Sequence, residues 1–157
     1  MIVDAAASLI QPLADDQVSP PCPASVALRE ASASTLRLSV ERPRRGTAVV
    51  TVRGELDLLT APRLAEMLGC RLRGTLRLLI VDLSGLDFLA AAGLSVLASA
   101  RLRAEQHGIG LWVVTGSNHC VTRALTATGL DRELSLSHTI GLAERAHDHC
   151  GRRGACV

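Results

Sequence analysis

The spacing of apolar and polar residues changes several times along the chain, and the first patterned region predicts strands. LRLSVE, residues 36–41, alternates apolar and polar positions, as a half-buried strand does, and TAVVTVRGEL, residues 47–56, predicts a second strand. The turn residues RPRRG between them indicate an antiparallel hairpin. LRLLIVDL, residues 76–83, is continuously apolar, which predicts a central strand covered on both faces, and IGLWVVT, residues 109–115, predicts another buried strand.

Between these strands the apolar residues recur at helical spacing. The first helix is predicted to begin near Pro62, which suits the first helical turn because its missing N–H is harmless there, and to end by Gly74. A later helix is predicted to begin at Ser117 or Asn118, either of which can cap it, and to end at Gly129. The remaining predicted elements are a helix over 92–107, a short strand over 133–136 and a last helix from about residue 139.

The resulting element order is ββαβαβαβα, which predicts an α/β fold with a single domain. Strands that alternate with helices imply right-handed crossovers, and therefore a mixed, mainly parallel sheet of about five strands, with the helices mostly on one face. The domain is predicted to span residues 35–147. Residues 1–34 are rich in Ala, Ser, Pro and Asp and predict a flexible N-terminal arm, and residues 148–157 predict a flexible tail.

Composition narrows the class of ligand. Hydrophobic residues make up 48% of the chain, yet Phe88 and Trp112 are its only aromatic residues. Proteins that bind single-stranded nucleic acid stack the bases on aromatic rings, so no nucleic-acid partner is expected. The formal charge is only +2. The cluster of Arg42, Arg44 and Arg45 is interpreted as a solvated hairpin loop rather than a site for an acidic partner.

The sequence also carries an expectation about the compartment. No apolar run approaches the roughly 18 residues that a membrane helix needs, and Asp4 stands where a signal sequence would have basic residues. We therefore expect a cytoplasmic protein that does not insert into a membrane. Because thiols stay reduced in the cytoplasm, the five cysteines are not expected to form a structural disulfide framework.

Motifs for catalysis are missing from the sequence: it has no glycine-rich phosphate loop, nucleophile elbow or zincin motif. The prediction is a non-enzymatic protein with no catalytic residues, cofactor or metal. His147, His149, Cys150 and Cys156 are of types that bind zinc, but their spacing matches no closed zinc module. Cys150 and Cys156 remain a candidate redox pair under oxidative stress. A nucleotide-binding protein or weak NTPase is the alternative from another class, and the lack of a phosphate cradle argues against it.

Three alanines stand at the start of the helix predicted over 92–107. An N-cap is usually Ser, Thr, Asp or Asn, whose side-chain oxygen accepts a hydrogen bond from an otherwise unpaired backbone N–H, and alanine cannot do this. Ala90, Ala91 and Ala92 therefore mark either an ordinary helix start or a site whose chemistry has been lost. Alanine's helix propensity recovers only tenths of a kcal/mol per residue, against about 0.5–2 kcal/mol for a lost cap.

Three segments resemble the STAS domain family. GELDLLTAPRL (54–64) is similar to the signature that follows the second strand of STAS domains, LIVDLSGLDFLAAAGLSVL (79–97) to their strand–loop–helix core, and LWVVTGSNHCVTRALTATGLDREL (111–134) to the strand–helix–strand that follows. The resemblance runs from about residue 36 to 146. It implies a small regulatory domain that binds proteins, best known among bacterial anti-sigma factor antagonists. In these the antagonist binds a serine-kinase anti-sigma factor and so frees the sigma factor.

The resemblance also implies a switch that this chain lacks. In the family the kinase phosphorylates a Ser in an Asp-Ser-Ser/Thr-Gly-Leu turn, and the added charge expels the antagonist. The family's Asp falls on Ala90, its phosphoacceptor on Ala91 and its next hydroxyl residue on Ala92, while Gly93 and Leu94 match. Ala91 is therefore a degenerate phosphosite that cannot accept a phosphate.

Two functions follow from the resemblance. In the first, the chain is an antagonist that binds its anti-sigma factor without being switched off at Ala91. In the second, it is a STAS scaffold subunit of a transporter or of a multiprotein signalling complex. The predicted partner-binding residues come from the loop after the second strand and from the helix start: Glu55, Asp57, Thr60, Ala90, Ala91, Ala92, Gly93 and Leu94.

Overall fold

One five-stranded sheet organises the protein. The computed structural model describes residues 36–153, and its strands lie in the order β1-β2-β3-β4-β5. β1 is antiparallel to β2, and every later pair is parallel. The mixed, mainly parallel sheet predicted from the sequence is thus confirmed. The strands are β1 (Arg37–Arg44), β2 (Thr47–Leu56), β3 (Leu78–Leu89), β4 (Gly110–Val114) and β5 (Ser135–Ser137).

Four helices cover the sheet unequally. The main core holds leucines of three helices together with one face of the strands, whereas a smaller cluster joins the other face to a single helix through Ile140 and Ala143. Three helices therefore lie on one face and the fourth on the other, as the prediction of helices mostly on one face required. The helices are α1 (Ala61–Leu72), α2 (Ala91–Gln106), α3 (His119–Thr128) and α4 (Ile140–Arg153).

β3 is longer than its apolar run suggested. The pattern places the end of this strand at 83, but β3 continues to Leu89. Its pairing with β4 ends at Asp82, and the extension pairs with β2 alone, from Gly85 opposite Arg53 to Leu89 opposite Leu56. Residues 84–89 therefore form an extended arm on the edge of β2 rather than a tight turn. This arm carries the chain to the start of α2.

The last helix also passes the predicted domain end. α4 runs to Arg153, beyond 147, so residues 148–153 are helical rather than tail. Arg44 of β1 lies 3.9 Å from the carboxylate of Glu144 and 3.8 Å from that of Asp148, which ties the hairpin to this helix. The N-terminal arm and Cys156 lie outside the described residues, so the arm and the pairing of Cys156 with Cys150 stay predictions. Within 36–153, no helix combines the length and the apolar character needed to cross a bilayer.

Candidate functional site: the ends of β2 and β3

The predicted partner-binding residues lie around the carboxyl ends of two neighbouring parallel strands. β2 ends at Leu56 and β3 at Leu89, which are register partners. Immediately after them, the backbone N–H of Ala90 donates to the carbonyl oxygen of Leu56 at 2.9 Å. The loop that leads to α1 and the first turn of α2 therefore sit side by side, as the sequence predicted.

The loop after β2 is shaped by one carboxylate. Asp57 Oδ1 accepts hydrogen bonds from the backbone N–H of Leu59 and of Thr60 and from the Thr60 hydroxyl, each at 2.9 Å. The Thr60 hydroxyl in turn accepts from the Asp57 N–H at 2.9 Å and lies 3.0 Å from the Glu55 carbonyl oxygen. The backbone N–H of Thr60, followed by its hydroxyl, lowers the pKa of Asp57 below its usual value, since both stabilise the charged carboxylate.

This network gives the predicted loop residues different places. Thr60 is buried and Asp57 directs its Oδ1 into the loop, so these two side chains hold the loop in shape from within. Glu55 is exposed. The residues between them project most strongly: Leu58 is 77% exposed and Leu59 is 82% exposed. A loop fixed by its own hydrogen bonds thus presents two leucine side chains to solvent.

The start of α2 carries no polar side chain. Ala90 is the N-cap residue, with extended backbone angles and no side-chain hydrogen bond. Ala91 is exposed, and Ala90 and Ala92 are partly exposed. The Ala90 carbonyl oxygen accepts hydrogen bonds from the N–H of Gly93 at 3.0 Å and from that of Leu94 at 3.2 Å, which closes the first turn. What faces solvent at this helix start is therefore methyl groups.

Two of the predicted partner-binding residues pack inside the domain instead of facing solvent. Gly93 and Leu94 are buried. A Cβ atom on Gly93 would lie 2.6 Å from Leu56 Cδ2 and 2.8 Å from Leu89 Cδ1, closer than such atoms approach. Glycine at 93 lets α2 sit directly on the ends of β2 and β3. These two residues hold the exposed alanines in place rather than offering a surface themselves.

Sequence reasoning missed the largest apolar group at this end of the sheet. Phe88 is 50% exposed, on the strand arm that precedes Ala90, and its register partner on β2 is Glu55. The sequence carried no signal for its exposure, because a phenylalanine in a strand pattern is equally compatible with the core. Together with Leu58, Leu59 and the alanines at 90–92, Phe88 forms what we call the docking surface.

Asn118, one of the two predicted caps of α3, also holds the strand arm. Asn118 Oδ1 accepts from the backbone N–H of Cys120 at 3.1 Å and of Val121 at 3.3 Å, which is the predicted cap of α3. Its Nδ2 also donates to the carbonyl oxygen of Leu86 at 2.7 Å and lies 3.3 Å from that of Ser84. Since β4 no longer pairs with the arm, this side chain is its link to α3. The sequence indicated the cap but not the link.

The fold and the site together define a small α/β domain, in which a strand arm and an uncapped helix start expose apolar groups. The chain matches the family model described as STAS domain over residues 39–143, and it belongs to that family.

Particular relatives can now be named. The chain is 34% identical over 95 residues to the anti-sigma-F factor antagonist RsfB of Mycobacterium tuberculosis, which covers 60% of this chain and 76% of the relative. An anti-sigma factor antagonist from Mycobacterium paratuberculosis has a similar structure, with a TM-score of 0.65, 29% identity, and coverage of 76% of this chain and 99% of that one. Bacillus SpoIIAA in its phosphorylated form shares the fold, with a TM-score of 0.56, 16% identity, and coverage of 70% and 99%.

Proposed function

We propose that this protein is a cytoplasmic anti-sigma factor antagonist that acts by binding, without catalysis. Its docking surface would contact an anti-sigma factor of the serine-kinase type and so release the sigma factor. The observation that carries the proposal is the exposure of Leu58, Leu59 and Phe88 around the bare start of α2. Its similarity to RsfB, an anti-sigma-F factor antagonist, supports the same function.

The physical argument starts from the free energy of apolar surface. Burial of a leucine or phenylalanine side chain contributes about 1.5–3 kcal/mol, so three such side chains in water favour association strongly. The loop that carries Leu58 and Leu59 is already ordered by Asp57 and Thr60, which reduces the entropy lost on binding. An ordered apolar surface of this kind suits a specific protein partner.

The second part of the proposal concerns regulation. By the family resemblance, Ala91 occupies the phosphoacceptor position, and its side chain is an exposed methyl group. A phosphate there would place about two negative charges in an apolar interface. Without a hydroxyl this cannot occur, so binding would persist in the presence of ATP and an active kinase.

The first experiment is a pull-down of the host's kinase-type anti-sigma factors with the full chain, in the presence of ATP. We expect retention of one of them and no phosphate on the chain by mass spectrometry. Failure to retain any of them would contradict the proposal and favour the STAS scaffold function. Phosphate incorporated elsewhere in the chain, with release of the partner, would contradict its regulatory part.

Exposed apolar residues supply a matched test of the surface. Leu59→Ser and Phe88→Ser should each weaken binding about tenfold or more, since each removes a large apolar contact. Leu142→Ser removes a leucine that is 46% exposed on α4, which packs on the other face of the sheet, and should leave binding unchanged. Equal losses in all three variants would mean that the docking surface is not the interface.

The lost switch can be restored. The double variant Ala90→Asp, Ala91→Ser recreates the family turn at the start of α2, and we expect it to be phosphorylated by the bound kinase and then released. The single variant Ala90→Asp is the control, because it adds the carboxylate without the acceptor. If the double variant bound the kinase yet stayed unphosphorylated, the assignment of Ala91 to the phosphoacceptor position would be wrong.

A further inference from the structure

A groove separates α1 from α2 on the outer side of the domain. It encloses about 210 Å³, and the side chains of Leu68, Leu72 and Ala100 form its buried floor. Small residues face each other across it, among them Gly69 on α1 and Ser99 on α2. Because these residues are small, the two helices leave an open cleft with an apolar floor along their line of contact.

One end of the groove is positively charged. Arg103 Nη1 lies 3.4 Å from where a Cβ atom on Gly69 would stand, and Arg73 Nε donates to the Gly69 carbonyl oxygen at 3.3 Å. Two guanidinium groups therefore flank the same glycine. Both residues are exposed, and none of the described residues that line the groove is acidic. The groove thus joins an apolar floor to a pair of arginines.

The groove is continuous with the docking surface. Ala92, Val96, Ser99 and Arg103 follow one another at helical spacing along α2, and the last three line the groove. With a rise of about 1.5 Å per residue, this stripe spans about 16 Å from Ala92 to Arg103. A protein that contacts the alanines at 90–92 therefore reaches the groove without leaving the surface of α2.

We propose that the groove binds a second segment of the same anti-sigma factor, in which an apolar side chain fills the cleft and an acidic side chain pairs with Arg103 and Arg73. The inference rests on the proposed function. Stable protein interfaces bury about 800 Å² on each partner, more than three apolar side chains and a few methyl groups supply. The groove provides the additional area, and its positive charge requires an acidic side chain on the partner.

The test measures the affinity of full-length variants for the anti-sigma factor retained in the pull-down, by calorimetry at low and high salt. Arg103→Glu should weaken binding about tenfold and flatten its salt dependence, because a complementary charge pair becomes a repulsive one. Ser99→Phe should weaken binding to a similar extent by filling the cleft. Arg123→Glu makes the same charge change on α3, whose Arg123 is exposed, and should bind as the unchanged protein does.

The outcomes separate the two proposals. If Arg103→Glu and Ser99→Phe bind like the unchanged protein while Phe88→Ser does not, the groove assignment is overturned and the proposed function stands. If Ser99→Phe binds more tightly, the groove is occupied by a competing segment of this chain, which also overturns the assignment. If the unchanged chain retains no anti-sigma factor, both proposals fail. Thermal melting of each variant checks that the fold is intact.

Discussion

The starts of α2 and α3 occupy equivalent positions in the fold, since each helix follows a parallel strand on the same face of the sheet. Their N-terminal residues differ in polarity. Asn118 begins α3 with a side chain that both caps the helix and donates to the strand arm at Leu86. Ala90 begins α2 without any side-chain hydrogen bond. One helix start is fastened by polar contacts and the other exposes methyl groups.

The difference shows how a helix start can be ordered and yet remain free of polar side chains. α2 is positioned by its backbone, through the Ala90 N–H on the Leu56 carbonyl oxygen, and by packing of Gly93 against Leu56 and Leu89. Backbone hydrogen bonding and close packing thus position α2 without a capping side chain, and the side chains on the solvent side of the helix start are methyl groups. α3 carries the polar contacts that the neighbouring strand arm requires.

The largest expected effect comes from the polar start. Asn118→Ala removes the cap, at about 1 kcal/mol, and leaves the Leu86 carbonyl oxygen without its donor, at about 1–3 kcal/mol. We expect the free energy of unfolding to fall by about 2–4 kcal/mol, measured from urea midpoints with an unchanged m-value. Asn118→Ser keeps a capping oxygen but not the Nδ2 donor, so it should recover only the cap. Full recovery by serine would show that the link to the strand arm contributes nothing.

Added side-chain volume at the start of α2 should lower the free energy of unfolding. Gly93→Ala places a Cβ atom against Leu56 and Leu89, and overpacking costs about 1–3 kcal/mol, partly offset by a gain of about 1 kcal/mol in helix propensity. The net loss expected in urea unfolding is up to about 2 kcal/mol. Gly141→Ala is the control, since a Cβ atom there meets nothing within 4 Å and the variant should be stabilised. Stabilisation by both variants would mean that α2 is not held by this contact.

The sequence predicted the features that local periodicity determines and missed those that depend on contacts between distant residues. Periodicity was sufficient for the element order and the sheet, because buried strands and amphipathic helices impose it directly. It failed at β3, where Ser84, Gly85 and Asp87 have the composition of a turn. In the fold Gly85 pairs with Arg53 of β2, and the strand continues to Leu89 through two shifts in register. That pairing depends on a neighbouring strand and on Asn118, thirty or more positions away, and no local pattern contains it.

For the candidate site, the sequence predicted which residues to consider but not which of them are exposed. The resemblance placed it at the ends of β2 and β3, yet half of the predicted residues turned out to support the site from within, among them Thr60 and Gly93. Leu58, Leu59 and Phe88 were missed because the identity of an apolar residue does not show whether its side chain is exposed or buried. Exposure is a property of the folded chain, and it singled out these side chains.

A smaller effect should follow from giving α2 the cap that it lacks. Ala90 already has the extended backbone angles of an N-cap, so Ala90→Ser should place an oxygen near the first free N–H groups and raise the free energy of unfolding by about 1 kcal/mol. Ala91→Ser adds the same hydroxyl one residue later, inside the helix, and should change stability by less than about 0.5 kcal/mol. Equal urea midpoints for the two variants would show that the first turn is already satisfied.

The smallest effect concerns the start of α1. Asp57 orders the loop before this helix by accepting hydrogen bonds from the backbone N–H groups of Leu59 and Thr60. These hydrogen bonds lower the pKa of Asp57 in the folded state. The stability that they contribute is therefore fully present above the ordinary aspartate pKa of about 4 and is lost as the pH falls through the lowered pKa. Urea midpoints of the unchanged protein and of Asp57→Asn should differ at pH 6 and converge as the pH is lowered. Thr60→Val removes one of the donors and should show an intermediate pH dependence, whereas a constant difference across the pH range would mean that the Asp57 charge does not stabilise the loop.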